Sequence, residues 1–354
     1  MTLQANYGAY EVGLIGNNYG LKELLPVLNL IENVKTIFVP PQNVDSDQLH
    51  KLRNSGVTTQ TLSEIISNNN IQLIFSAVPP DAQYQLGKTI LENNKNLYCE
   101  KPVGINSKQV TDLQLLSELT HKNVYVGFQY RFDPGINMLK NLFSLNLLQM
   151  FSIIEVDWHT TGSASTTNKT NWRSDARQGG GVHRDFLCHV LDYLRWITND
   201  QCTTLLNGLV LDPSFNSNIN KLNLVSSDID TQKIAIRISR GFSKKSYWVI
   251  CIVSESGSLK LKSEFPFNVG GFSIEYDGDK QFCDVIKNIL MQYSFLQDRI
   301  DLGSARTHAI KTHFELIIQN EFNGGINPLP NLQNALFTQK ISDRIQPLLF
   351  SSGH

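Results

Sequence analysis

Short apolar runs alternate with longer segments of helical periodicity over the first third of the chain. Between the runs, apolar residues recur at spacings of three and four, most clearly in 21–30, 82–93 and 107–119, as in amphipathic helices. The alternation predicts a Rossmann-type α/β domain, a doubly wound parallel sheet that binds ligands beyond the carboxyl ends of its strands. The predicted strands are 11–16, 34–39, 71–78, 96–99 and 124–129.

The pattern changes from about residue 145 onward. Partly alternating apolar positions and short turns rich in Gly or Ser predict an α+β domain with a large, mostly antiparallel open sheet packed on helices. We place the domains at 1–125 and 126–354, with a last helix at 331–346 that can pack back on the first domain. The predicted strands are 150–159, 205–211, 233–239, 246–254, 258–262 and 272–276, and the predicted helices are 182–196, 280–299 and 304–319.

Composition narrows the class of protein. A chain of 354 residues with 41% hydrophobic and 18% charged residues has enough apolar material for two folded domains. Its 31 basic and 32 acidic residues give a formal charge of −1, so no basic surplus is present to bind nucleic acid. We expect no membrane segment, since no apolar run reaches the roughly 18 residues that a span requires.

The cysteines and the N-terminal residues indicate a location. The five cysteines are scattered and form no Cys-x-x-Cys pair, so neither a disulfide framework nor a zinc site is expected. The first ten residues lack the basic, apolar and small-residue order of a secretion signal. We therefore expect a cytoplasmic protein without a bound metal.

The turn after the first predicted strand is a candidate dinucleotide site. Its sequence, Gly16-Asn17-Asn18-Tyr19-Gly20, partly follows the Gly-x-Gly-x-x-Gly fingerprint, whose glycines let the backbone approach a pyrophosphate. Gly16 fits the first position, but Asn18 occupies the second and Leu21 the third. By itself, the turn is as compatible with an ordinary strand-to-helix connection as with nucleotide binding.

The end of the second predicted strand does not select the cofactor. The sequence there is Val39-Pro40-Pro41-Gln42-Asn43. It contains no carboxylate for the ribose 2′-hydroxyl of NAD and no Arg for the 2′-phosphate of NADP. NAD and NADP are therefore both open as the cofactor.

Lys101 follows a predicted buried strand, within Glu100-Lys101-Pro102. The carboxyl end of a strand in a doubly wound sheet faces the ligand crevice, where a lysine can donate hydrogen bonds and positive charge to a substrate oxygen. The alternative is a surface lysine at a strand end. Because a cis peptide bond is essentially confined to proline, the Lys101–Pro102 bond is a candidate for one.

A second motif begins with Asn171-Trp172-Arg173, followed by Gly179-Gly180-Gly181 and a predicted helix. The three glycines predict a flexible loop with close backbone approach. Asp185, His189 and Asp192 follow at i, i+4 and i+7, which places them on one helical face. A neighbouring carboxylate can set the pKa and tautomer of a histidine, and a general acid or base is built in this way. The alternative is a solvated polar stripe, and two carboxylates with one His are a poor zinc set.

Together these motifs resemble the glucose-fructose oxidoreductase and inositol dehydrogenase (Gfo/Idh/MocA-type) family of NAD(P)-dependent oxidoreductases. The resemblance covers nearly the whole chain, and its most specific part is the pairing of Glu-Lys-Pro with the triple-glycine helix. Gln83 departs from the family, because many members carry a histidine at that position. The segments that carry the resemblance are 16–20, 77–80, 99–102, 126–134, 172–173, 179–192 and 329–345.

The resemblance implies a role for each candidate residue. Lys101 resembles the catalytic lysine, His189 the acid/base that exchanges the proton, and Asp185 the carboxylate beside it. The residues that resemble cofactor contacts are Gly16, Asn17, Asn18, Tyr19, Gly20, Pro79, Glu100 and Lys101. The residues that resemble substrate contacts are Tyr130, Arg131, Trp172, Arg173, Asp185, His189 and Asp192.

These roles imply an oxidoreductase that transfers a hydride between a nicotinamide and a carbon bearing a hydroxyl or carbonyl. The implied small-molecule substrate is a sugar, a polyol or a nucleotide-linked sugar, and the family implies homodimers or homotetramers formed through the open sheet. The alternatives are a non-catalytic binding relative with a degenerate nucleotide site, and a reductase of an imine or unsaturated ring. The retention of Lys101, Asp185 and His189 favours an enzyme.

Overall fold

The chain forms two compact units, of which the first contains residues 1–127 and 310–336 and the second residues 128–309 and 337–354. The first boundary follows Gly127 rather than residue 125, and residues 310–336, predicted in the second domain, are part of the first unit. The computed structural model describes residues 10–40, 50, 52–54, 56–148, 150–161, 172–226, 232–241, 246–264, 273–297, 305–323 and 329–351.

Six parallel strands form the sheet of the first unit. They are β1 (Tyr10–Ile15), β2 (Val34–Val39), β3 (Thr58–Thr59), β4 (Leu73–Ser76), β5 (Asn96–Cys99) and β6 (Val124–Val126). Their order is β3-β2-β1-β4-β5-β6, that of a doubly wound dinucleotide-binding sheet. Leu14, Phe75 and Tyr98 are fully buried, as expected for strands covered on both faces. The predicted Rossmann-type fold is confirmed.

The helices of this unit follow the strands in sequence. A π-helical turn, Gly20–Leu24, leads into the short helix Leu25–Leu28. The longer helices are Leu62–Ser67, Pro80–Glu92 and Ser107–Thr120. The predicted helix at 21–30 is therefore shorter and begins as a π-helical turn, and the other predicted helices are displaced by at most a few residues.

The helix Ala305–Asn323 explains why a late segment belongs to the first unit. The ring of Phe314 packs on Phe75 and Tyr98, with centroid distances of 4.7 and 5.1 Å. The hydroxyl of Tyr125 donates to the Glu321 carboxylate at 2.6 Å. Rings from the central strands are thus covered by a helix that comes after the second sheet in the sequence.

Seven strands form the sheet of the second unit. They are β7 (Phe151–Thr161), β8 (Val210–Leu211), β9 (Lys221–Val225), β10 (Lys233–Gly241), β11 (Tyr247–Ser254), β12 (Gly257–Glu264) and β13 (Ser273–Gly278). The order is β13-β12-β11-β7-β10-β9-β8, and only the pair β7–β10 is parallel. This confirms the predicted, mostly antiparallel sheet.

Alternation along the central strands separates two faces of this sheet. Trp158, Trp248 and Ile250 are buried on one face, and the two indole rings stack with centroids 5.5 Å apart. Val249 and Cys251, which point to the opposite face, are only partly buried. One face therefore forms the core of the unit, while the other is less covered.

The remaining described helices belong wholly or largely to the second unit: Pro134–Ser144, Val182–Asp185, Leu187–Ile197, Thr203–Asn207, Lys280–Gln297, Leu332–Ile345 and Leu348–Ser351. The side chain of Asp133 caps the first, accepting from the backbone N–H groups of Gly135 at 2.8 Å and Ile136 at 3.4 Å. Burial raises the pKa of Asp133 to about 7, although these two bonds oppose the shift.

The helix Leu332–Ile345, which we call the closing helix, begins in the first unit and ends in the second. Just before it, the carbonyl of Pro330 accepts from Val126 of the first unit at 2.9 Å. Towards its end, Ser342 donates to the carbonyl of His183 at 2.8 Å, within the second unit. We predicted that this helix can pack back on the first domain, and its first residues, up to Leu336, are assigned to the first unit.

Two secondary-structure predictions are wrong. Residues 205–211 are not one strand, because the helix Thr203–Asn207 precedes the two-residue β8. The predicted helix at 182–196 is divided at Phe186, where φ is −117° and ψ is −43°. No helix among the described residues is both long and apolar enough to cross a membrane.

Candidate active site

The turn after β1 carries the predicted dinucleotide contacts. Gly16 has a φ of +140°, and a Cβ there would lie 2.6 Å from the carbonyl oxygen of Ala77, so this position requires glycine. Asn17 and Asn18 are exposed, and the helical turn begins at Gly20. The turn lies between the end of a strand and the start of a helix, where dinucleotides bind in this fold. The residues present therefore fit a dinucleotide.

Lys101 follows Glu100 after the end of β5, at the carboxyl edge of the first sheet. Its peptide bond to Pro102 is cis, as predicted. The backbone N–H of Glu100 donates to the carbonyl of Ser76 at 2.9 Å, which continues the pairing of β5 with β4. Glu100 and Pro102 are buried while Lys101 is partly exposed, so the lysine extends from a fixed backbone.

Gln83 holds this backbone from the first turns of the helix Pro80–Glu92. Its Nε2 donates to the carbonyl oxygens of Glu100 and, at 3.4 Å, of Pro102. Its Oε1 accepts from the hydroxyl of Ser76 at 3.2 Å. Gln83 is 1% exposed. The sequence indicated this residue only as a departure from the family, although it contacts the backbone on both sides of Lys101.

Glu100 and Pro79 are the other predicted nicotinamide contacts. The hydroxyl of Tyr98 donates to Glu100 Oε1 at 2.7 Å, and burial raises the pKa of that hydroxyl. A Cβ on Gly127 would lie 2.8 Å from the same carboxylate oxygen, so glycine leaves room for this pair. Pro79 is exposed at the start of the helix Pro80–Glu92.

The triple glycine packs against Trp172 and Arg173 in the second unit. A Cβ on Gly180 would lie 2.1 Å from the carbonyl oxygen of Trp172, and the N–H of Gly181 donates to the carbonyl of Arg173 at 2.9 Å. The predicted close backbone approach is confirmed. The Arg173 guanidinium lies 4.4 Å from the centroid of the Trp172 ring, a cation–π contact.

Asp185 lies between two guanidinium groups. Its Oδ2 is 3.4 Å from Arg173 Nε and 3.9 Å from Arg240 Nη1. Arg240 also donates from Nη2 to the carbonyl of Arg173 and to Asn220 Oδ1, each at 3.0 Å. Burial lowers the pKa of Arg240, whereas Asp185 opposes that shift. The carboxylate is thus fixed in a positive environment.

Aromatic rings surround His189. Its imidazole centroid lies 4.7 Å from the ring of Tyr130, 6.0 Å from Phe128 and 6.3 Å from Trp158. Tyr130 also contacts the ring of Trp248 at 5.2 Å. His189 is buried, with 4% exposure, so packing restricts the orientation of its imidazole.

Arg131 and Asp192, both predicted to bind substrate, pair with each other. Arg131 Nε donates to Asp192 Oδ2 at 2.7 Å, and Arg131 Nη2 donates to Asp192 Oδ1. Both side chains are buried. Burial raises the pKa of Asp192, and the charge of Arg131 opposes the shift. The bidentate pair joins the turn Gln129–Phe132 to the helix Leu187–Ile197 that carries His189.

Two contacting residues were not predicted as part of the site. Gln83 offered one sequence signal, its place at a position where many members of the family carry a histidine. Arg240 offered none, because a single arginine in a partly exposed strand gives no indication of its distant partner. Among the described residues, no group of three or more His, Cys, Asp or Glu could hold a metal ion.

Comparison with known proteins identifies the family. Residues 10–128 match the family model described as the oxidoreductase family with an NAD-binding Rossmann fold. Over these residues, the chain matches the Gfo/Idh/MocA oxidoreductase family. The resemblance seen in its motifs is confirmed, as are the nicotinamide cofactor and the oxidoreductase class.

The chain is distantly similar in sequence to two known oxidoreductases. It is 24% identical over 270 residues to an uncharacterized oxidoreductase of Synechocystis sp., a match covering 72% of this chain and 71% of that protein. It is 22% identical over 209 residues to inositol 2-dehydrogenase of Salmonella typhimurium, covering 58% of this chain and 57% of the enzyme. The chain therefore spans little more than half of the second relative.

Solved structures extend the likeness to both units. The WlbA dehydrogenase of Chromobacterium violaceum, solved with NADH and UDP-GlcNAcA, matches with a TM-score of 0.73 and 12% identity. The match covers 99% of this chain and 96% of that chain. At this identity, the likeness shows that the two proteins share a fold.

Proposed function

We propose that the chain transfers a hydride between NAD or NADP and a carbon bearing a hydroxyl or carbonyl, in a sugar, polyol or nucleotide-linked sugar. The observation that carries the proposal is Lys101. It is a cation at the carboxyl edge of an NAD-binding Rossmann sheet, extending from a backbone fixed on both sides. A donor at this place can stabilise negative charge on a reacting oxygen.

The chain's residues have distinct proposed roles in this reaction. The nicotinamide supplies the hydride acceptor or donor when it is bound. Lys101 donates a hydrogen bond to the reacting oxygen. His189 takes the hydroxyl proton during oxidation and returns it during reduction, and the surrounding rings hold its imidazole in place. Asp185, fixed by two arginines, binds a polar group of the substrate.

The proposed cofactor contacts belong to the first unit. The turn Gly16–Gly20, with Asn17, Asn18 and Tyr19, binds the pyrophosphate, and Pro79 and Glu100 lie beside the nicotinamide. Tyr130, Trp172 and Arg173 of the second unit contact the substrate. We propose that Arg131 and Asp192 hold the His189 helix instead, because the two side chains are buried and bonded to each other.

The charges around Asp185 support a substrate with an anionic group. Two guanidinium groups, of Arg173 and Arg240, contact one carboxylate, so the positive formal charges of these three side chains outnumber the negative one. Arginine binds phosphate and carboxylate groups in planar, bidentate geometry. We therefore expect a sugar phosphate, sugar acid or nucleotide-linked sugar to have a higher kcat/KM than the matching neutral sugar.

The first experiment is a titration of the purified protein with NADH and NADPH, followed by nicotinamide fluorescence. Binding of either selects the cofactor for a screen of matched neutral and anionic sugars. If a folded sample binds neither NADH nor NADPH, the result would favour the alternative of a non-catalytic binding protein. Activity only on imines or unsaturated rings would favour the alternative of a reductase of those compounds.

The second experiment tests the catalytic residues. Lys101→Met and His189→Asn should each lower kcat by about 10²- to 10⁴-fold, with the cofactor Kd within about two-fold of wild type. A variant with unchanged kcat would remove that residue from the mechanism.

We further propose a cytoplasmic location and a homo-oligomer. The five cysteines form no disulfide bonds with one another, as is usual in a reducing compartment. The less covered face of the second sheet is the proposed contact between copies of the chain.

A further inference from the structure

We propose that Gln83 is a positioning residue that sets the reactivity of Lys101 through the backbone. The inference rests on the proposed function, because it concerns the lysine that contacts the reacting oxygen. Gln83 itself is fully buried and is not proposed to contact substrate.

The polar atoms of the Gln83 carboxamide have complementary partners. The two N–H groups of Nε2 match two carbonyl oxygens, those of Glu100 and Pro102, and Oε1 accepts from the Ser76 hydroxyl. A reversed amide would place Oε1 against two carbonyl oxygens, which cannot donate. The pattern of donors and acceptors therefore determines the orientation of the Gln83 amide. In turn, the amide holds the peptide units on both sides of Lys101 in place.

This arrangement affects the direction in which the lysine leaves the backbone. Ser76 ends β4, Glu100 follows β5, and Gln83 belongs to the helix between them. The three elements are thus joined at the point from which Lys101 extends. A lysine amine sits on a flexible four-carbon chain, so its position at a reacting oxygen depends on a fixed Cα–Cβ direction. A misplacement of about 1 Å can lower a rate by roughly 10².

Histidine cannot reproduce these contacts. A neutral imidazole has one donor and one acceptor, so it can bond only one of the two carbonyls while it accepts from Ser76. A Gln83→His variant should therefore keep part of the effect. Gln83→Met removes the whole amide while preserving an unbranched side chain of similar length.

Gln109 offers a matched control in the same unit. Its carboxamide accepts from the N–H of Ile105 at 2.8 Å and donates to Asp81 at 2.9 Å, and the structure assigns it no bond to Glu100 or Pro102 among the described residues. Gln109 lies on the helix Ser107–Thr120, so Gln109→Met removes an amide that bonds to the loop after Lys101 without removing the contacts made by Gln83.

The test measures hydride transfer in a single turnover and amide hydrogen exchange of residues 98–105. Gln83→Met should slow transfer by about 10- to 100-fold, with the cofactor Kd within about two-fold of wild type. Its exchange should rise at Lys101 and Val103. Gln83→His should fall between Gln83→Met and wild type, and Gln109→Met should keep the wild-type rate. In a Lys101→Met background, Gln83→Met should add less than about two-fold.

Two results would overturn the proposal: a folded Gln83→Met variant with the wild-type rate, or a full loss of rate from Gln83→Met when Lys101 is already replaced. If Gln83→Met does not fold, Ser76→Ala removes only the hydroxyl that fixes the amide and should give a smaller loss of the same kind. If the wild type transfers no hydride, the proposed function fails. Hydrogen exchange then decides separately whether Gln83 holds the segment, and unchanged exchange at Lys101 and Val103 contradicts it.

Discussion

The imidazole of His183 is fully buried, and neither ring nitrogen has a hydrogen-bond partner in the described part of the chain. Burial, assisted by the charge of Arg184, lowers its pKa to about 3. In the unfolded chain a histidine titrates near 6.5. Between about pH 3 and 6.5 the unfolded state therefore binds a proton that the folded state does not, and stability falls as the pH is lowered through this window.

His183→Leu removes this titration and should make the protein less sensitive to acid. At pH 5 we expect the variant to gain about 1 to 2 kcal/mol in free energy of unfolding relative to its own effect at pH 8, measured by denaturant unfolding of variant and wild type at each pH. His50→Leu, at an exposed position, is measured alongside as a His→Leu change on the surface. An equal free-energy difference for His183→Leu at both pH values would contradict the assignment.

The buried pair of Arg131 and Asp192 makes a second prediction at this scale. Arg131→Met alone leaves an unpartnered buried carboxylate and should destabilise the protein by about 3 to 5 kcal/mol. The double variant Arg131→Met/Asp192→Leu should recover most of that loss, measured by denaturant unfolding. Because we propose that this pair holds the His189 helix and does not bind substrate, the double variant should also keep a KM near wild type. A large rise in KM would indicate that Arg131 contacts the substrate.

At the scale of elements, the turn after β1 distinguishes its two glycines. A Cβ on Gly16 would collide with the Ala77 carbonyl at a backbone angle suited to glycine, whereas a Cβ on Gly20 would meet ordinary contacts at 3.7 Å. Gly16→Ala should therefore lower affinity for the nicotinamide cofactor by at least about ten-fold. Gly20→Ala should change it little, and fluorescence titration compares the two. Equal affinities would mean that the turn can open without loss.

Sequence patterns predicted some strands and helices of the fold and missed others. Five of the six strands of the first unit were predicted, because a buried parallel strand is a continuous apolar run ended by Gly or Pro. The two-residue strand β3 was not predicted. Residues 205–211 misled because Leu205, Leu206 and Leu209 are all buried, and a short apolar run can be either a helix or a strand. The strand Lys221–Val225 was not predicted. Its residues do alternate, with Leu222 and Leu224 buried, but the strand is only five residues long.

The sequence predicted which residues are candidates for the site better than it predicted what each of them contacts. Lys101 and His189 follow from local motifs, whereas the partners of Asp185 depend on how distant segments meet. Arg240 lies on β10, and no local pattern indicates that it contacts Asp185. The break at Phe186 likewise depends on packing, so the expected single helical face of Asp185, His189 and Asp192 does not lie on one continuous helix.

At the scale of the whole molecule, the second sheet supports a prediction on assembly. Val249 lies on a central strand and points away from the core, while Val210 lies on the edge strand β8 and is exposed. If copies associate through this face, Val249→Lys should lower the mass measured by light scattering from dimer or tetramer toward monomer, because an interface core disfavours a charge. Val210→Lys should leave the mass unchanged. A wild-type protein that is monomeric at micromolar concentration would contradict the proposed oligomer.

The helix that covers Phe75 and Tyr98 has a consequence for synthesis on the ribosome. Residues 310–336 belong to the first unit, so all six strands leave the ribosome before Phe314 and Glu321. These two residues contact side chains of β4, β5 and β6. During translation of residues 128–309, the rings of Phe75 and Tyr98 therefore lack their contacts with Phe314. A gene fragment ending after Gly127 would encode every strand of the nucleotide-binding sheet without that cover, so a fragment intended to fold alone must also supply residues 310–336.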